Sequence, residues 1–186
     1  MTSNKELVST SKFLSLVLRH RPQTIGLELD ASGWASVDEL LAKAAAARHT
    51  LSRALLEEVV LSSDKKRFAL SDDRQKIRAN QGHSIEVELG LQATQPPPVL
   101  YHGTASRFLP SILENGLDKR QRHHVHLTES IAIASSVGQR YGTLVVLKVD
   151  AQRMAADGLL FFRSANDVWL TDSVPVTYLA ISKDAP

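Results

Sequence analysis

Apolar residues recur at Leu7, Val8, Phe13, Leu14, Leu16, Val17 and Leu18, a spacing that predicts a helix over residues 4–18, which Pro22 must end. Ser36, Val37, Asp38 and Glu39 read as a capping box. It opens a second helix through Leu40, Leu41 and the alanine run, and Thr50 can cap a third to about Leu61. Residues 64–70 and 77–80 are short segments able to pair as a hairpin. Three helices followed by a basic hairpin is a winged-helix arrangement, although a fold does not by itself give a function.

The pattern changes over residues 82–98, which end in the rigid run Pro96, Pro97, Pro98 and mark a linker. Beyond it, β-prone runs stand at residues 99–102, 124–127, 144–149, 168–171 and 176–179. Helices are expected over 108–113, ending at Asn115-Gly116, and over 130–137. The expected fold class is α+β, with one lobe over residues 1–84, a linker over 85–98, and a β-rich lobe over 99–186 whose mostly antiparallel sheet carries two helices. No repeat, GxGxxG or Walker pattern occurs.

A length of 186 residues suits two small lobes. A hydrophobic content of 43% and a charged content of 23% are ordinary for a globular chain, and no apolar run approaches the roughly 20 residues that span a bilayer. The first residues, MTSNKELVS, lack the apolar core of a secretory signal. With no cysteine in the sequence, disulfides and thiolate metal sites are excluded, and a cytoplasmic location is expected. A net charge of +2 points to no partner, but the basic excess lies in residues 1–80, clustered at Arg19-His20-Arg21, Lys65-Lys66-Arg67 and residues 74–78. Arg19 and Arg21 also have a structural reason to stand there, since a helix C-terminus favours cations.

Two segments of the second lobe carry candidate chemistry. Tyr101, His102, Gly103 and Thr104 end a predicted strand, and an imidazole, a glycine and a hydroxyl there can grip a ribose and a phosphate, although a strand-end His-Gly is often only a turn. Between Arg122 and Thr128 the sequence places His123, His124 and His126, and strand alternation would direct Arg122, His124 and His126 to one face. Zinc is the rival reading of this cluster, but structural zinc normally takes four ligands and no further ligand motif accompanies it.

The sequence resembles the RNA 2′-phosphotransferase family in LSLVLRHR at 14–21, WASVDEL at 34–40, DKKRFAL at 64–70, IRANQGHS at 77–84, LYHGT at 100–104, ILENGL at 112–117, HHVHLT at 123–128 and SANDVWLT at 164–171. The resemblance implies an N-terminal winged-helix lobe, a C-terminal ADP-ribosyltransferase-like lobe and an active site in the cleft between them. It assigns the catalytic set to Arg19, His20, Arg67 and Arg122. It assigns NAD⁺ contacts to His102, Gly103, Thr104, His126, Thr128, Arg140 and Asn166. Many relatives read NGVWL in the late motif, where this sequence has Asp167 in place of the glycine.

The implied reaction removes an internal 2′-phosphate from RNA, with a tRNA splice junction as the familiar eukaryotic substrate. The phosphate attacks the NAD⁺ ribose and expels nicotinamide; the ribose 2″-oxygen then attacks the phosphate, releasing RNA 2′-OH and ADP-ribose 1″,2″-cyclic phosphate. The nucleophile arrives ionised, so the first step calls for positioned cations and no carboxylate base. Guanidinium groups bind phosphate bidentately and stay charged, which suits both steps without a metal. His20 is the candidate acid for the departing RNA oxygen. The expected partners are NAD⁺ and 2′-phosphorylated RNA, bound by a monomer with no membrane association. Two alternatives are an ADP-ribosyltransferase acting on nucleic-acid phosphate ends and a non-catalytic winged-helix RNA binder. The first could dispense with His20 and Arg67, and the second would not need LYHGT or VHLT.

Overall fold

A computed structural model describes residues 3–63 and 65–183. The chain divides into two compact units, Met1–Gly90 and Leu91–Pro186, of mixed helix and antiparallel sheet, so the class is α+β.

In the first unit, helix α1 (Asn4–Arg19) starts at Ser3, whose hydroxyl accepts from the Glu6 amide at 3.2 Å. It buries Thr10, Leu14, Val17 and Leu18, neighbours on one helical face. Val8 and Leu16 belong to the same apolar pattern, yet they are 48% and 40% exposed. Helix α1 stops at Arg19, and Pro22 opens a 3-10 turn, Pro22–Thr24. Strand β1 (Ala35–Ser36) leads into α2 (Val37–Ala46), where the Ser36 hydroxyl accepts from the Glu39 amide at 3.3 Å, as the capping box predicts. Helix α3 (Arg53–Ser62) is capped by Ser52, whose hydroxyl accepts from Leu55, and not by Thr50, which lies two residues before the capping position.

Strands β2 (Phe68–Leu70) and β3 (Lys76–Ala79) form the expected hairpin, with Phe68 opposite Ala79 and Leu70 opposite Ile77. Asp64, the first residue of the expected hairpin segment, lies outside the described residues. On the other edge of β3, β1 pairs Ala35 with Ile77, a strand too short to leave a periodic signal. Leu14, Leu18, Leu40, Leu56, Phe68 and Ile77 share the buried core.

The segment expected as a linker is held at both ends. The Glu88 amide donates to the Ala31 carbonyl within the first unit, while Ala93 bridges Phe162 within the second. The second unit runs β4 (Val99–Ala105), α4 (Leu109–Asn115), β5 (Leu117–Asp118), β6 (Val125–Leu127), α5 (Ile131–Gly138), β7 (Leu144–Asp150), α6 (Ala151–Ala156), β8 (Phe162–Arg163), β9 (Trp169–Thr171), β10 (Ser173–Val174) and β11 (Leu179–Ile181). These strands make three small antiparallel sheets, ordered β11-β7-β4, β6-β9-β8 and β10-β5, where a single sheet is expected from the sequence. Helix α6 is an addition: the Asp150 carboxylate caps it, but six residues are too few to show helical periodicity. Residues Val176–Tyr178 form a 3-10 turn after Pro175, and the strand expected over 176–179 begins only at Leu179. The core gathers Leu100, Leu127, Leu147, Val149, Met154 and Phe161.

Candidate active site

At the C-terminal end of α1 the first unit gathers Arg19, His20 and Arg67. The Arg19 guanidinium donates to the Arg67 carbonyl at 3.2 Å and lies 5.6 Å from the centre of the Phe68 ring, so the arginine of the helix reaches the loop that enters β2. The residues after β3 hold both pieces. The Asn80 carboxamide donates to the Lys66 carbonyl at 2.6 Å and its amide to the Arg67 carbonyl at 3.0 Å. The Ser84 amide donates to the Arg19 carbonyl at 2.9 Å, and its hydroxyl is 3.0 Å from His20 Nδ1. Reading IRANQGHS as a motif does not disclose these jobs, because each depends on where the chain returns after the hairpin. In the same stretch the Arg78 guanidinium stacks 4.6 Å from the centre of the Trp34 ring, and His83 is fully buried.

In the second unit His102 sits in the middle of β4, opposite Leu147. Its Nδ1 is 3.0 Å from the His126 carbonyl. A carbonyl only accepts, so Nδ1 carries the proton. Burial holds this imidazole below its ordinary range and the nearby Arg122 guanidinium adds to that, against the opposing pull of the His126 carbonyl. His102 is therefore neutral near pH 7, with Nε2 as an acceptor. Arg122 Nη1 is 2.8 Å from His126 Nδ1; a guanidinium only donates, so that nitrogen accepts and Nε2 of His126 bears the hydrogen. The ring of His126 thus meets Arg122, while its backbone carbonyl meets His102.

The strand expected to carry His124 and Arg122 with His126 does not reach either of the first two. Strand β6 begins at Val125, Arg122 lies in a turn closed by its amide to the Lys119 carbonyl, and the His124 ring packs 5.5 Å from the Phe162 ring. Burial lowers the His124 pKa, with Asp172 opposing. Among the described residues no three His, Asp or Glu side chains are grouped so as to hold a metal ion.

The remaining candidates all lie in the second unit. Thr128 is joined to Tyr101 by reciprocal backbone bonds of 2.7 and 3.0 Å, which tie the end of β6 to β4 beside His102. Thr104 is buried in β4. A Cβ on Gly103 would stand 1.7 Å from the Ala134 carbonyl, and one on Gly138 would stand 2.7 Å from the Thr104 carbonyl; the two glycines let α5 lie directly on β4. Arg140 is exposed in the 3-10 turn Gln139–Tyr141 that follows α5. Asn166 accepts from the Ser164 hydroxyl at 2.8 Å in the turn between β8 and β9. Asp167 has a φ of 61°, a backbone state glycine adopts freely and aspartate tolerates, and its carboxylate pairs with Arg163 at 3.1 Å.

Residues 5–173 match the family model described as RNA 2'-phosphotransferase, Tpt1 / KptA family. The chain belongs to this family. RNA 2'-phosphotransferase relatives match it nearly end to end. A protein of Pseudomonas fluorescens named "Probable RNA 2'-phosphotransferase" is 57% identical over 95% of this chain and 98% of its own length. Proteins of the same name from Acaryochloris marina and Agrobacterium fabrum are each 55% identical, over 94% and 95% of this chain and 97% and 95% of theirs. Among the described residues no helix is long and apolar enough to cross a membrane.

Proposed function

We propose that the protein uses NAD⁺ to remove an internal 2′-phosphate from RNA through an RNA 2′-phospho-ADP-ribose intermediate, giving RNA 2′-OH, nicotinamide and ADP-ribose 1″,2″-cyclic phosphate. The first unit is read as a winged-helix RNA-binding lobe, whose order of three helices and a hairpin with β1 on its edge suits that description. The second is read as an ADP-ribosyltransferase-like, NAD⁺-binding lobe. With no cysteine to depend on an oxidising compartment, the enzyme suits the cytoplasm.

One observation carries the reading: Arg19, His20 and Arg67 are brought together at the end of α1 and held there by Asn80 and Ser84. Arg19 and Arg67 bind the 2′-phosphate and meet the charge that grows on its oxygens when the phosphoryl group is transferred, and Arg122 completes the cationic set that the family resemblance assigns to this chemistry. His20 gives its proton to the departing RNA 2′-oxygen. His102 fits NAD⁺ as a neutral acceptor, since its Nδ1–H is committed to the His126 carbonyl and Nε2 can take a hydrogen bond from a ribose hydroxyl. The Nε2–H of His126 supplies a donor beside it, oriented by Arg122. Gly103 and Thr104 shape this wall of the NAD⁺ site, Thr128 and Asn166 line its edge, and Arg140 reaches the pyrophosphate.

The test is incubation with NAD⁺ and an RNA carrying one internal 2′-phosphate. Nicotinamide, the cyclic phosphate and RNA 2′-OH should appear in equal amounts; release of nicotinamide without loss of the 2′-phosphate would overturn the reading.

A further inference from the structure

Helix α1 exposes an unusual row. Val8, Lys12, Leu16 and His20 are spaced by four and lie one above another on the helix surface. Val8 and Leu16 are too exposed to serve the core. They line one side of an open groove of about 610 Å³ whose other side is formed by Val59 of α3 and by Lys65 and Arg67 of the loop that follows it. His20 and Arg67 lie in its lining, so the groove is continuous with the Arg19, His20 and Arg67 cluster. The described residues lining it include three Lys or Arg side chains and no Asp or Glu, and Ser11, Ser15 and Ser62 line it as well.

We propose that this groove is a track for single-stranded RNA, holding the strand on one side of the reacting 2′-phosphate. The inference rests on the proposed function and deepens it, since Val8, Lys12 and Leu16 are not among the residues assigned there to the reacting phosphate or to NAD⁺. A groove whose described lining holds cations and no carboxylates suits a polyphosphate backbone. Exposed aliphatic side chains between the cations suit ribose and base faces, which only an unpaired strand can offer. Lys12 lies eight residues before His20, roughly 12 Å along the helix at 1.5 Å per residue, so it meets flanking phosphates and leaves the reacting one to the arginines.

The experiment measures binding of three fluorescent 2′-phosphorylated RNAs without NAD⁺, so that the outcome does not depend on turnover. One is a minimal RNA without flanking strand, one is extended only on the 5′ side and one only on the 3′ side. The wild-type chain should bind one extended RNA more tightly than the minimal one. Lys12→Glu and Val8→Glu, both at exposed helix positions, should weaken that RNA about tenfold, leave the minimal RNA within about twofold, and for Lys12→Glu reduce the salt dependence by about one counterion. Melting temperatures serve as the folding control. Equal binding of all three RNAs by the wild type, or variants that weaken minimal and extended RNAs alike or neither, would overturn the track. Separate turnover of the minimal RNA by the wild type tests the proposed function, so a chain that binds the extended RNA as expected but turns nothing over fails there and not here.

Discussion

At Gly103 a single missing methyl group sets how closely α5 approaches the strand that carries His102. A Cβ there would overlap the Ala134 carbonyl at 1.7 Å, and a helix backbone has no rotamer with which to yield. Gly103→Ala should therefore cost about 3 kcal/mol or more of stability, read as a fall in the denaturation midpoint. Unchanged stability would mean that α5 can move off β4. His102 makes a different demand. Its folded pKa lies below the ordinary value near 6.5, so between the two values the unfolded chain binds more protons and stability rises with pH. The contribution is complete above about pH 6.5 and is lost as pH falls from there toward the folded pKa. His102→Gln should flatten that part of the stability profile; an unaltered slope would show that His102 is not its source. In function, His102→Ala should impair NAD⁺ binding far more than RNA binding, as titrations with each ligand would show. A collapse of RNA affinity with NAD⁺ binding unchanged would reverse the assignment. His102 and Gly103 were both visible as a motif in the sequence. That the glycine accommodates a helix was not, because its neighbour lies 31 residues away.

Elements with strong local signals are legible in advance: α1 from its apolar face, α2 from its capping box, and β4 and β7 from continuous β-prone runs. Those that depend on partners are not. Two-residue β1 exists because β3 offers an edge, and residues 176–178 turn after Pro175 instead of extending despite two β-branched side chains. The segment after β3 is the functional case. It is irregular, yet Asn80 fixes the Lys66–Arg67 backbone and Ser84 meets both the backbone of Arg19 and the ring of His20. Ser84→Ala removes one hydrogen bond at an exposed imidazole, a loss of about 1 kcal/mol. Turnover should drop roughly fivefold, with NAD⁺ affinity unchanged and the pH profile of the rate displaced. Full activity with an unmoved profile would leave Ser84 as a backbone anchor only.

Across the whole molecule, the two units offer different chemistry. The first supplies permanent cations and an exposed imidazole; the second supplies two imidazoles whose tautomers are fixed, His102 by donating to the His126 carbonyl and His126 by accepting from Arg122. If NAD⁺ is met by the second unit and the phosphate by the cations of the first, the two steps of the reaction should separate by mutation. Expelling nicotinamide needs a positioned phosphate and bound NAD⁺. The following transfer also needs stabilisation of a more highly charged phosphoryl group and a proton for the RNA oxygen. His20→Ala and Arg67→Ala should therefore slow the second step more than the first, each by on the order of 3 kcal/mol, comparable to losing one oxyanion donor. In a single turnover with 5′-labelled RNA, a slower-migrating 2′-phospho-ADP-ribosyl adduct should accumulate on a denaturing gel, while the wild-type chain shows little. Variants that leave the 2′-phosphorylated RNA untouched, or that convert it without an adduct, would refute the division of labour even where the overall reaction is retained.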